Sequence, residues 1–227
     1  MLLILLLLAV LGAGGWFGWN SSALHLRRVE VAGTVRVAKE DIARASGLRA
    51  GAHLLKLPME RISARIERVP RIHSVKIERI IPSTVRVTVT EREPIAEVSV
   101  GPRTYLVDSE GVVLEEGTGQ PIRVIDLPIE QVAIGERIRL DQYSSALSVA
   151  RGIEPAVRRR LLRIRAPSVD RISLELDGGL LIVYGAPERM GEKNYAVRTV
   201  MEDLAKRGER AASIDVRVPE RPAVRPA

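Results

Sequence analysis

Four carboxylates lie close together in one short stretch of the sequence: Asp108, Glu110, Glu115 and Glu116. Paired carboxylates can act as general acid and general base in an active site. Here, however, they surround a Ser109–Gly111 turn between two apolar stretches, which is typical of the solvated end of a β-hairpin. We therefore interpret this acidic group as a hairpin turn and not as a catalytic pair.

The other residue types that carry chemistry are sparse. His25, His53 and His73 are far apart in sequence, no carboxylates surround them at ligand spacing, and cysteine is absent. The sequence also lacks the Gly-x-Ser-x-Gly, Walker and His-Glu-x-x-His patterns of hydrolases, nucleotide-binding proteins and zinc proteases. We therefore predict no enzymatic activity, no cofactor, no metal, no disulfide and no small-molecule substrate.

A basic cluster raises the alternative of a nucleic-acid partner. It comprises Arg158, Arg159, Arg160, Arg163 and Arg165. Aromatic residues make up only 3% of the chain, so stacking platforms for bases are scarce, and no nucleic-acid-binding signature is present. We interpret the cluster as an exposed helix face and predict no nucleic-acid partner.

The N-terminal run from Leu2 to Trp19 contains no charged residue. A helix of this length spans ~27 Å, close to the thickness of a bilayer's hydrocarbon core. We predict a transmembrane anchor at residues 1–23, with Leu2, Leu8, Trp16 and Trp19 in contact with the membrane. A cleaved secretory signal ending at the glycines of residues 12–15 is the alternative, and it would release a secreted binding protein.

The anchor would place the C-terminal domains outside the cytoplasm. Because Arg27 and Arg28 follow the run and no basic residue precedes it, the positive-inside rule would require a short cytoplasmic tail before Met1. Residues 24–95 carry 15 Lys and Arg against 8 Asp and Glu, whereas residues 96–227 carry 20 of each. This basic region beside the anchor favours contact with an anionic lipid surface.

The region from Leu26 to Pro94 predicts the order strand, helix, helix, strand, strand. The short strand covers residues 28–32, and the first helix covers 39–45. Ile62, Ile66 and Val69 form the apolar stripe of a second helix that begins at Pro58 and ends at Pro70. Two strands follow, one with Val75 and Ile77 facing inward and the next with Val85, Val87 and Val89 facing inward, joined by a turn at 81–83. Both helices must cover one face of this small sheet.

The region from Ala96 to Val218 is rich in strands. Residues 172–176 and 181–183 form a hairpin around Asp177-Gly178-Gly179. Helices interrupt the strands, one capped by Asp141 and one carrying a stripe from Val197 to Leu204. Ile214, Val216 and Val218 make the last strand, and three prolines leave residues 219–227 as a tail.

Several motifs make this chain resemble the bacterial cell-division family FtsQ, also called DivIB. They are Val69-Pro70, Val75, Pro82, Thr84, Val85, Val87, Glu91-Arg92, Pro94-Ile95-Ala96, Tyr105–Asp108 with Gly111, Leu176–Gly179, Gly185, Lys193 and Ile214–Arg217. The resemblance implies an α+β fold with an N-terminal transmembrane helix, a βααββ POTRA domain at 24–95 and a strand-rich β domain with flanking helices at 96–218. The proline-rich tail would be residues 219–227.

The resemblance also implies a function. It implies a single-pass scaffold at the division septum that recruits cell-wall-synthesis partners, namely FtsB/DivIC-like and FtsL-like membrane coiled-coil proteins. By position, the implied contact strand is Ile214, Asp215, Val216, Arg217 and Val218, with Arg217 as a polar anchor. We expect this strand to lie at an open sheet edge that accepts a partner strand, so that a proline at Val216 would block capture without unfolding. A POTRA-bearing chaperone or translocation component is the alternative.

Overall fold

The computed structural model describes residues 22–120 and 122–227. The predicted anchor residues Leu2, Leu8, Trp16 and Trp19 lie outside these ranges. Within the ranges, no helix combines the length and the apolar character that crossing a membrane requires.

The first compact unit ends at Arg92. Its strands are β1 (Arg28–Ala32), β2 (Ile72–Ile80) and β3 (Thr84–Glu91), its α-helices are α1 (Lys39–Ser46) and α2 (Met59–Ile66), and single 3-10 turns cover Ser22–Leu24 and Leu54–Lys56. The middle strand is β3, which pairs parallel with β1 and antiparallel with β2. The predicted order of strand, helix, helix, strand, strand is confirmed.

Alternation along β3 explains the core of this unit. Val85, Val87 and Val89 are buried while the residues between them are not. They share a hydrophobic cluster with Ile42 of α1 and Ile62 of α2. Both helices therefore contribute to the same core as the valine face of the sheet.

The second helix is shorter than the sequence predicts. It ends at Ile66, and the N–H of Glu67 donates to the Ser63 carbonyl at 2.9 Å to close its last turn. Val69 lies beyond the helix and is only partly buried. Pro70 disfavours helical backbone at the residue before it, so the chain leaves the helix early instead of reaching the proline.

The second compact unit begins at Glu93. Its strands are β4 (Ala96–Val100), β5 (Arg103–Val107), β6 (Val113–Glu116), β7 (Ile122–Ile125), β8 (Leu161–Arg165), β9 (Ser173–Leu176), β10 (Leu181–Val183), β11 (Ala211–Asp215) and β12 (Ala223–Pro226), and its helices are α3 (Asp141–Gly152), α4 (Pro155–Arg160) and α5 (Met190–Arg207). The strands form one sheet in the order β12-β11-β10-β9-β8-β7-β4-β5-β6.

The two faces of this sheet differ in character. Along β9, Leu174 and Leu176 are fully buried in a cluster that includes residues of all three helices. Glu175, which points to the other face, accepts ion pairs from Arg163 at 2.5 Å and Arg165 at 3.3 Å. The sheet, which mixes parallel and antiparallel strand pairs, is therefore apolar along β9 where the helices cover it and charged on the opposite face.

Two local predictions need correction. Asp141 does not cap α3: the N-cap is Leu140, and Asp141 is the first helical residue, where its charge can act only on the helix dipole. The basic cluster is not one helix face, because α4 ends at Arg160 and Arg163 and Arg165 lie on β8. Pairing with β7 on one side and β9 on the other places this segment in the sheet.

Candidate partner-binding edge

The predicted contact strand, Ile214 to Val218, does not lie at an open edge. Its first residues belong to β11, which pairs with β10 on one side and with β12 on the other. Ile214 and Val216 are both 0% exposed, and the Val216 N–H donates to the Val183 carbonyl at 3.0 Å. The expectation of an open edge at this position is wrong, because a later segment of the same chain already covers it.

Arg217, the predicted polar anchor, has a carboxylate partner within its own chain. Its Nη2 lies 2.7 Å from Oδ2 of Asp215, and its backbone N–H donates to Oδ1 of the same side chain at 3.0 Å. The hydrogen bond from Arg217 lowers the pKa of the Asp215 carboxyl against the opposing effect of burial. A partner carboxylate would therefore have to compete with Asp215 for this guanidinium.

The segment that covers β11 is the predicted proline-rich tail. Residues Ala223–Pro226 form β12, which runs antiparallel to β11 and pairs Ala223 with Asp215 and Arg225 with Ser213. The prediction that prolines exclude regular sheet from this region is wrong.

Backbone groups alternate in direction along an antiparallel strand. The N–H of Ala227 donates to the Arg210 carbonyl at 3.1 Å, so it points toward β11. By alternation, the N–H of Arg225 points the same way, whereas position 226 faces outward. Pro226 therefore lacks an N–H only on the open side, which is where sheets tolerate proline.

The same alternation defines what β12 offers to another chain. Val224 directs its N–H and its carbonyl outward, and it is the residue within β12 whose N–H can donate across the open edge. Its side chain is 40% exposed and lies on the same face as Ile214, its register partner. An incoming strand can thus exchange two hydrogen bonds with Val224.

The other edge of the sheet is partly covered by the chain itself. The N–H of Val113, in β6, donates to the Glu136 carbonyl at 2.9 Å, and the Val113 carbonyl accepts from Gly135 at 2.8 Å. Val112 also bridges to Arg137. Among the described residues, β12 is therefore the end of this sheet with room for another strand.

A groove lies close to the connection that leads into β12. It has a volume of about 490 Å³ and is lined by Gly191, Glu192, Tyr195, Pro219 and Glu220. Tyr195 is 62% exposed, so an aromatic side chain is available to a ligand at the start of α5. The exposed aromatic side chain beside this groove therefore comes from α5, since the predicted contact strand Ile214–Val218 contains no aromatic residue.

The remaining candidates for chemistry have structural partners. Asp108 is buried, and its Oδ1 accepts the N–H groups of Glu110 at 2.9 Å and Val112 at 2.8 Å, while Glu110 pairs with Arg137 at 2.6 Å. The hairpin interpretation is confirmed, although Asp108 fastens the turn from inside instead of facing solvent.

Two of the three histidines lie next to each other in the fold, although they are far apart in sequence. The rings of His25 and His53 meet edge to face, with centroids 5.8 Å apart. In the described part of the chain, no three His, Asp or Glu side chains are grouped so that they could hold a metal ion.

One pattern in the sequence indicates the β12 edge strand. Ala223-Val224-Arg225 alternates like a short strand, and the prolines at 222 and 226 bracket it at the same parity. Prolines that fall only on outward-facing positions are compatible with an edge strand, so the even spacing of prolines 222 and 226 indicates an edge strand and not a tail.

Comparisons with known proteins agree with the resemblance seen in the sequence. The model of the POTRA domain, FtsQ-type, matches residues 24–92. The chain is 32% identical to the cell division protein FtsQ of Streptomyces collinus, over 98% of this chain and 86% of that protein. It is 32% identical to FtsQ of Streptomyces coelicolor, over 88% of this chain and 80% of that protein. It is 31% identical to FtsQ of Mycobacteroides abscessus over 85% of this chain, but spans only 61% of that longer protein.

Proposed function

Because this chain belongs to the FtsQ family of cell division proteins, we propose that it is a non-catalytic, single-pass membrane scaffold of the division septum. In this role it holds FtsB/DivIC-like and FtsL-like membrane coiled-coil proteins and so regulates septal cell-wall synthesis. The N-terminal apolar run anchors it, and both folded units act outside the cytoplasm.

The observation that carries the proposal is the open edge at β12. A strand edge with an available N–H and carbonyl accepts another chain through its backbone. The contact strand therefore moves from the predicted Ile214–Val218 to Ala223–Pro226. Since Val224 presents both a donor and an acceptor, the backbone part of the contact requires only a short extended segment of the partner.

The neighbouring groups add selectivity to this backbone contact. Val224 presents an apolar side chain at the edge, and Arg225, its exposed neighbour, lies on the opposite face. We expect the partner strand to carry an apolar residue beside Val224 and an acidic residue near Arg225. An extended segment next to a coiled coil would meet this need.

Co-purification with the cell's own coiled-coil division proteins tests the proposal. The full chain is tagged and compared with Val224→Pro, which removes the outward N–H, and with Val224→Ala, which keeps it. An acceptor left without its donor costs ~1–3 kcal/mol, so Val224→Pro should weaken capture by about 5-fold to 150-fold. Val224→Ala loses side-chain contact but should retain most of the binding.

Two results would count against the proposed edge. If Val224→Pro captures as much partner as the wild type, strand addition at β12 is not the mechanism. If the alanine variant loses capture as completely as the proline variant, the contact depends on the side chain and not on the backbone.

The cellular role has its own measurement. We expect a fluorescent fusion of the full chain to form midcell bands, and depletion of the protein to give filamentous cells. A uniform envelope signal with normal septation would refute the septal role, whatever the outcome at Val224.

A further inference from the structure

Three segments meet at one end of the first unit, and we call this surface the basic end: residues 22–28, 49–57 and 79–84. The N–H of Leu26 donates to the Ala52 carbonyl at 2.8 Å, which joins the first two segments. The N–H of Arg27 donates to the Ser83 carbonyl at 2.8 Å, which joins the first and third. The basic end is therefore one surface, which backbone hydrogen bonds build from three segments that are distant in sequence.

The charge of this surface has a single sign. The three segments contain five basic residues, Arg27, Arg28, Arg49, Lys56 and Arg79, and no Asp or Glu. All five side chains are exposed. Their positive charge is thus available to a ligand at this end of the unit.

Arg79 also builds the surface. Its Nε donates to the Leu54 carbonyl at 3.0 Å, and its Nη2 donates to the Leu57 carbonyl at 2.7 Å. These bonds hold the 3-10 turn that carries Lys56 against the end of β2. Arg79 therefore contributes its own charge and positions a second one.

An apolar residue projects from the same end. Ile81, in the turn between β2 and β3, is 68% exposed, although an isoleucine is usually buried. An exposed isoleucine beside several arginines matches the bilayer interface, where an apolar side chain enters the headgroup layer and cations meet phosphates.

The sequence before this surface indicates the direction of the membrane. The uncharged run Leu2–Trp19 ends three residues before Ser22, where the described chain begins. Three residues span at most ~11 Å. If that run lies in a bilayer, the basic end is held within reach of the headgroups.

The opposite end of the unit differs, because its basic residues Arg36 and Lys39 are accompanied by the carboxylate of Glu91. It lies about 23 Å away along β3, where the N–H groups of Val35, Arg36 and Val37 donate to the carboxylate of Glu91 at 2.8–3.0 Å. Val35 is 88% exposed there, so this end also has an apolar tip but carries a carboxylate. The two ends therefore compare an apolar tip beside mixed charges with an apolar tip beside positive charges alone.

We propose that the basic end docks on anionic phospholipid headgroups, with Ile81 inserted at the interface and the five basic residues on the phosphates. The docking orients the first unit against the membrane. It uses no residue of the β12 edge, so it is independent of partner capture.

The absence of cysteine allows a single-site test with the full chain. Ile81→Cys and Val35→Cys are each labelled with an environment-sensitive fluorophore, and the protein is reconstituted in nanodiscs. The discs contain either phosphatidylcholine alone or phosphatidylcholine with phosphatidylglycerol, and a trace of lipid carries a quencher on its headgroup. We expect the label at position 81 to be quenched in the phosphatidylglycerol discs and the label at position 35 to remain unquenched.

Charge variants complete the test. Arg27→Gln with Arg49→Gln should reduce the docked-to-free ratio by about 5-fold for each charge. The matched control, Arg36→Gln with Lys39→Gln, removes the same charge near the Val35 end and should leave the ratio within about 2-fold, since charges far from the surface are screened. Amide exchange in β3 verifies that each variant is folded.

The following outcomes would overturn the proposal. One is equal quenching at positions 81 and 35. Another is quenching at position 81 that does not depend on phosphatidylglycerol or on Arg27 and Arg49. A third is protection of position 81 only when a partner protein is added, which would assign this surface to a protein.

Discussion

The same substitution, valine to proline, should destabilise the second unit strongly at Val216 and little at Val224. Val216 donates its N–H to the Val183 carbonyl at 3.0 Å and is fully buried, whereas Val224 directs its N–H to the open side of β12. Val216→Pro deletes a native hydrogen bond, leaves an acceptor without its donor (~1–3 kcal/mol) and forces a ring into a packed core (~1–3 kcal/mol). We expect a loss of roughly 2–6 kcal/mol for this variant and about 1 kcal/mol or less for Val224→Pro.

Hydrogen exchange of the full chain measures this difference within the second unit alone. The slowest amides of β9 and β10 should exchange at least about 30-fold faster in Val216→Pro, since every 1.4 kcal/mol is about tenfold. In Val224→Pro they should stay close to the wild-type rate. The reasoning fails if Val216→Pro leaves these amides protected, or if Val224→Pro exposes them, because either result would mean that the backbone directions are reversed.

Two further predictions concern buried polar groups in the second unit. Glu97 is 1% exposed, and burial favours the neutral form of its carboxyl group. The hydrogen bond from Arg123 at 2.7 Å and those from two backbone N–H groups favour the charged form more strongly. The pKa of Glu97 therefore lies below its ordinary value of 4.5. The stability that the charged carboxylate contributes is present above about pH 5 and is lost as the pH falls through the lowered pKa. In urea unfolding at neutral pH, Glu97→Gln should therefore be less stable than the wild type by ~1–3 kcal/mol, and this difference should shrink in acid. A constant difference from pH 7 to 3 would refute this cause. Tyr143 is buried and donates its hydroxyl to the Asp108 carbonyl at 2.9 Å, and burial raises its pKa. Tyr143→Phe should cost ~1–2 kcal/mol and speed amide exchange in the turn at 108–112, and unchanged exchange there would contradict the role of this bond.

The alternation of apolar residues predicted most of the first unit. Val85, Val87 and Val89 indicated one buried strand face, and Ile62 and Ile66 indicated the helix that packs against it. Both signals are local, because buried residues recur with a period of about 2 along a strand and about 3.6 along a helix. The end of α2 was less predictable, because Pro70 disfavours helical backbone at Val69 but does not determine which earlier residue ends the helix.

The topology of the second unit was not accessible from local patterns. Ile214 and Val216 have the same alternation whether their strand is at the centre or at the edge of the sheet. The difference is set by the pairing of β11 with β12, which depends on residues about ten positions further along the chain. The prolines near β12 predict an interruption of the sheet when only the residue type is considered and not the direction in which each backbone position faces.

The short β12 strand offers few side chains to a partner, so a contact there would depend mainly on the backbone. Pro226 cannot donate and Val224 supplies the outward N–H of the strand, so the edge is short and admits one pair of hydrogen bonds at its centre. Such an edge is too small to bind a partner tightly by itself, because two hydrogen bonds contribute only ~1–3 kcal/mol in total. If the partners and this chain are anchored in the same membrane, each is held at a high effective concentration, and a weak strand contact suffices to select the correct register. On this reasoning, membrane anchoring and the β12 edge act together, and removal of the anchor should weaken capture even though β12 is unchanged.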